Sequence, residues 1–211
     1  MKYLSVVLLL AVFPAIGGQQ GAPLAPIALY TQYQQEPSAV VLQAMQDELA
    51  MIMAPMGLRF GWHSLKDASG SKAAVELAVL TFKGHCEVTH LAPRSGQAGP
   101  LGWTHVSEGA ILPFADIDCD GIRNFLQMGL LAAHSGDREE LFGRALGRVV
   151  AHELYHIFAN TQHHGSEGVG KADYSVQNLL SDDFQFGEKE SMALLTSKAH
   201  EVLSISNDER L

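Results

Sequence analysis

The sequence predicts an α+β fold, a sheet packed on two helices. Three observations point there: β-prone runs bracket a helical stretch near the start, further apolar strands follow it, and a long helical periodicity comes late, ahead of a loop and a last helix. "PIALYTQY", Pro26 to Tyr33, is short and β-prone and reads as a strand. From Ser38 to Met53, Val41, Met45, Leu49, Ile52 and Met53 recur at helical spacing, and Pro55 and Gly57 end the run. "LRFGW", Leu58 to Trp62, reads as a second strand, and "KDASGSK" as a surface loop. "AAVELAVLTF", Ala73 to Phe82, is apolar enough for a sheet interior. Arg94 to Pro100, rich in Gly and Ser, reads as another loop. "LGWTHVSEGAILPFADIDC" then offers two short strands about the turn Ser107-Glu108-Gly109.

The helices that follow are set by apolar period and caps. Gly121 to His134 fits a short helix. Asp137 fits an N-cap with Glu140 three residues on as its capping-box partner, so the next helix is expected from about Arg138 to Asn160. Along it, Leu146, Val150 and Ile157 mark one buried stripe, and Ala145, Val149, His152 and His156 a second beside it. An amphipathic helix begins near Glu188. No repeat or long linker interrupts residues 23–211, which read as one domain.

With 211 residues, 47% hydrophobic and 18% charged, the chain is a folding globular sequence with room for a core. Its net charge of −9 argues against binding nucleic acid, which needs clustered Lys and Arg. At the start, Lys2 precedes an apolar run from Tyr3 to Phe13, with small residues at Ala15 and Gly17. This reads as a signal peptide over residues 1–17, with processing as late as about residue 22, and implies a secreted, periplasmic or extracellular protein. The run is too short to span ~30 Å of hydrocarbon comfortably, so no stable membrane anchor is expected once it is removed. In an exported chain the two cysteines, Cys86 and Cys119, favour a disulfide, and neither has a second cysteine close by to form a zinc knuckle.

The chemistry concentrates in "VVAHELYHIFANTQHHGSEG", Val149 to Gly168. On a helix, His152 and His156 lie one turn apart and about 40° round the axis, so their imidazoles project side by side. They can grip one ion at Zn–N distances of ~2.0–2.1 Å. Glu153 points about 100° away; it misses the metal but can reach a water held there. A bound zinc brings that water's pKa towards ~7 and polarises a carbonyl, and the carboxylate takes the proton. The bland reading is a buried histidine pair on a core helix, which would need two separate hydrogen-bonding solutions. A catalytic zinc keeps three protein ligands and an open position. The third is expected just beyond the helix. Asn160 suits a left-handed stop and Thr161-Gln162 a turn, which brings His163 or His164 back over the metal. His164 is favoured, because Gly165 after it lets the chain turn sharply; His163 is the runner-up.

At these residues the chain resembles a zincin metallopeptidase, and among zincins a metzincin-like one. The pattern is His-Glu-x-x-His-x-x-Gly-x-x-His: His152, Glu153 and His156 match, whereas Ala159 stands for the glycine and Gln162 for the third histidine. The run is similar to a lengthened spacer, as in small secreted bacterial proteins whose third histidine is followed by Gly-Ile or Gly-Val, here Gly168-Val169. The resemblance implies a zincin-like, mixed twisted sheet packed on a backing helix and an active-site helix, with a C-terminal helix. It implies Zn2+ on His152, His156 and His164, and Glu153 as general base and then acid. It also implies an edge strand before Cys119 that binds extended peptide or protein substrate by β-addition. Met192 falls inside the predicted last helix and is given no place beneath the metal. A gluzincin reading would take the third ligand from Glu188 or Glu190, leaving both loop histidines unexplained. Tyr174 reads as a surface or packing residue sooner than an oxyanion donor, and His85, His90 and His105 as ordinary. The function expected is a secreted zinc-dependent endopeptidase. The alternatives are a zinc-bearing binding or toxin-like module with an inactive or structural site, or a non-peptide zinc hydrolase.

Overall fold

Alternate residues decide which way each strand faces, and in the computed structural model one sheet face carries nearly all the fully buried ones. The structure describes residues 27–67, 74, 76–89, 91 and 99–197; the leader, His90 and most of the Arg94–Pro100 loop lie outside them. The strands are β1 (Ile27–Gln35), β2 (Phe60–Ser64), β3 (Leu77–His85), β4 (Gly102–Ser107) and β5 (Ala110–Asp118). They form one mixed sheet in the order β2-β1-β3-β5-β4. The pairs β1/β2, β1/β3 and β3/β5 are parallel, and only β4 runs antiparallel, against β5. The β4–β5 turn has positive φ at both Glu108 (51°) and Gly109 (82°), the backbone twist that two-residue hairpins favour.

Among the described residues five α-helices complete the α+β fold: α1 (Ala39–Met53), α2 (Cys119–Ala132), α3 (Arg138–Phe158), α4 (Val176–Leu180) and α5 (Glu188–Leu195). Helix α1 opens at Ser38, whose hydroxyl accepts from the Val41 amide, and a short 3-10 turn ends it at Gly57 (φ 70°). Inward residues of the sheet, among them Leu29, Leu80, Phe82 and Ile117, share one core with Met45 and Leu49 of α1 and Leu146 and Val150 of α3. Helix α3 is buried almost all round from Phe142 to His156, so the two stripes expected of it merge into one enclosed rod. Bare backbone permits the closest approach to α1. A Cβ on Gly143 would sit 2.5 Å from the Val41 carbonyl, and one on Gly147 2.7 Å from that of Met45.

Two details depart from expectation. Asp137 precedes α3 but makes no side-chain cap, because its own backbone is already near-helical (φ −94°, ψ −9°) and its carboxylate leans towards His134. Helix α4 was not anticipated: it has five residues, too short for an apolar period, although Ser175 and Asn178 form the capping box that starts it.

Cys86, just past β3, is bonded to Cys119, the first residue of α2, as expected, with Cα atoms 4.9 Å apart. Both are fully buried. Replacing both by Ala is expected to lower unfolding stability by about 2–4 kcal/mol, seen as an earlier denaturant midpoint; an unshifted midpoint would show the bridge idle. Among the described residues no helix is long and apolar enough to cross a membrane.

Candidate metal centre

The last two turns of α3 present His152 and His156 on one face, as their spacing predicts. The backbone orients both rings. His152 Nδ1 donates to the Val169 carbonyl (2.8 Å) and His156 Nδ1 to that of Thr161 (2.7 Å). With protons committed at Nδ1, both Nε2 atoms keep lone pairs, and they face one another at 3.0 Å. Two acceptors so placed repel unless a cation lies between them, which is what this donor set fits.

The third imidazole comes from the loop. Helix α3 ends at Phe158, and Asn160 takes the left-handed conformation (φ 47°) that reverses the chain. His164 then stacks over His152 (centroids 5.1 Å apart) and lies edge-on to His156 (4.7 Å). One ligand atom from each of the three falls within 4.8 Å of the others. His163 is exposed and outside this trio; its amide donates to Thr161 Oγ1. Glu188 and Glu190 are also outside it. Glu190 is buried instead against the loop glycines, one of its oxygens 2.4 Å from where a Cβ on Gly165 would be.

A second tier of contacts holds the loop. Gly165 donates to the Gly170 carbonyl and Val169 to that of Gln185. Gly168 has φ 62°, and a Cβ there would lie 2.0 Å from the Gln185 carbonyl, so only glycine fits. The Tyr174 hydroxyl donates to the same Val169 carbonyl that orients His152, its oxygen 2.9 Å from His152 Nδ1. Tyr174 thus sits behind the His152 ring and buttresses it. One turn before His152 on α3, Arg148 is wholly buried. Its Nε donates to Glu48 of α1 (2.6 Å), and its other nitrogens to the carbonyls of Asn178 (2.7 Å) and Ser181 (2.8 Å), which end α4. The signal that marks Arg148 in the sequence is its place four residues before His152, on the stripe that goes on to His156.

Glu153 lies on the cleft side. It accepts from the Thr104 hydroxyl of β4 (2.8 Å), and the bare Gly102 leaves it room. Burial pushes the Glu153 carboxyl up to about 7, against the Thr104 hydrogen bond. Burial pulls His152 down to about 4, and neighbouring histidine charge adds to this; His156 is also lowered, again chiefly by burial. Both effects keep the rings neutral, with Nδ1 protonated and Nε2 free for a metal. The cleft between β4 and α3 has a volume of about 670 Å³, with Leu101, Phe125 and Val149 as apolar wall.

No family model, curated protein or solved structure matches this chain. The centre therefore rests on its own geometry: three imidazoles, a buried carboxylate beside them and an open groove. His85 and His105 pair with Asp120 (3.5 Å) and Asp116 (2.9 Å), away from the trio, as ordinary histidines do.

Proposed function

We propose that this chain is a secreted zinc-dependent endopeptidase with a zincin-like fold. The observation that carries the reading is the facing pair of lone-pair nitrogens on His152 and His156, completed by His164, with Glu153 beside them on the wall of an open cleft. The mixed sheet supports it, since its one antiparallel strand lies at the edge next to the helix that bears the histidines. A structural zinc site normally takes four protein ligands. Among the described residues no fourth His, Cys, Asp or Glu joins the three, which favours a centre with one position open to reactants.

His152, His156 and His164 would hold the ion, which supplies Lewis-acid activation of water and of the scissile carbonyl. Glu153 takes the proton from the attacking water and returns it to the leaving amine. The outer edge of β4, which among the described residues pairs only with β5, offers backbone groups to an extended peptide.

Elemental analysis of the purified chain beside a casein and peptide-library digest tests this directly. One zinc per chain and chelator-sensitive cleavage are expected. His164→Ala should weaken zinc affinity by at least about tenfold, and His163→Ala should not. A chain that binds no metal, or equal loss in both variants, would overturn the ligand set.

A further inference from the structure

Strand β4 does more at this site than line it. Gly102 and Thr104 sit two residues apart, so both face α3, and the register breaks only after Thr104. Both touch the same carboxylate: a Cβ on Gly102 would lie 2.9 Å from Glu153 Oε1, and the Thr104 hydroxyl donates to Oε2 at 2.8 Å. The same hydroxyl lies 3.2 Å from the Glu153 backbone carbonyl, farther than the carboxylate it serves. The Thr104 backbone also acts on this carboxylate, after its hydroxyl, and among the described residues no side chain other than Thr104 hydrogen-bonds it. A free carboxylate end has a broad torsional well, and the short hydroxyl bond to Oε2 is the restraint on it that a side chain supplies.

We infer that Thr104 is a positioning residue for the general base: its hydroxyl, delivered by the edge strand, sets the rotation of the Glu153 carboxylate and leaves Oε1 to face the cleft. This rests on the peptidase reading for its catalytic consequence and on the metal-free geometry for its structural one. A hydroxyl has one proton and gives it here to Oε2, so it does not occupy Oε1. Because Thr104 also belongs to the strand offered to substrate, alignment of the base and docking of the peptide share one element.

The test uses the full chain loaded with zinc alone and a peptide that the wild type cleaves. Thr104→Val keeps the shape and removes the donor; Thr104→Ala removes the donor without risk of overpacking. Both should lower kcat by roughly 10- to 100-fold, with KM and zinc content unchanged. Thr104→Ser should restore most of the rate, which a purely packing role would not require. Crystals of metal-free protein give the second readout, with the Glu153 carboxylate displaced in Thr104→Val and in place in Thr104→Ser. An unchanged kcat, a loss confined to KM, or an unmoved carboxylate in Thr104→Val overturns the inference. A wild type that binds no zinc and cleaves nothing defeats the peptidase reading, and the carboxylate position then decides the role of Thr104 by itself.

Discussion

Glu153→Gln is expected to keep its metal and lose its turnover, with kcat falling by about 10²–10⁴-fold, the usual contribution of a positioned proton acceptor. Gln has the same shape, and its side-chain carbonyl can still accept from the Thr104 hydroxyl, so the wall of the cleft is left in place. What it lacks is a site that takes a proton from water and gives it back. The three imidazoles are untouched, because none of their hydrogen bonds involves Glu153. Zinc stoichiometry and peptide turnover, measured on one preparation, separate the two effects. Retained zinc with turnover equal to wild type would remove Glu153 from the chemistry. Lost zinc would instead place the carboxylate among the ligands.

The largest loss of stability is expected at Arg148. Its guanidinium is wholly enclosed and meets the nearly buried Glu48, and two of its nitrogens donate to the carbonyls that end α4. Arg148→Met would leave a carboxylate buried without its closest partner and remove one donor from each of two carbonyls, which costs about 3–5 kcal/mol. Against a usual total of roughly 5–15 kcal/mol this is a large fraction. Met replaces the stem of Arg well, so packing alone would not account for a loss of that size. Arg144 lies 3.7 Å from the other Glu48 oxygen and softens the loss without removing it. Urea midpoints of Arg148→Met, Glu48→Met and the double variant measure the coupling. The double variant is expected to be more stable than Arg148→Met alone, since it removes the stranded charge. Single losses that add to the double would mean that the two side chains act independently.

The helix that carries His152 and His156 was legible because its signals are local. His152 and His156 at a four-residue interval, within an uninterrupted apolar period, fix a shared face whatever the rest of the fold does. Asn160 was legible as the stop for the same reason, since the left-handed conformation suits few other side chains. The preference for His164 over His163 came from the turn allowed by Gly165, and it is His164 that the loop brings close to His152 and His156. What stayed hidden depends on pairing across distance. Thr104 lies 49 residues from Glu153, and Arg148 100 residues from Glu48, and no periodicity couples positions so far apart. The Tyr174 contact was missed because Val169, whose carbonyl joins it to His152, offers only backbone, which the sequence does not mark. The sheet order is similar: alternation gives each strand a face, but which strand neighbours which is settled only when α1 and α3 dock.

The cystine also changes what a broken backbone means for this molecule. Its two ends lie 33 residues apart, and the interval holds β4 and β5, hence the whole Thr104 side of the groove. A single cut between positions 91 and 99 therefore yields two fragments that remain one covalent object until a reductant arrives. For a chain read as a protease among other proteases, such a nick leaves the fragment with β1, α1, β2 and β3 tethered to the one that carries both walls of the groove, and detaches nothing.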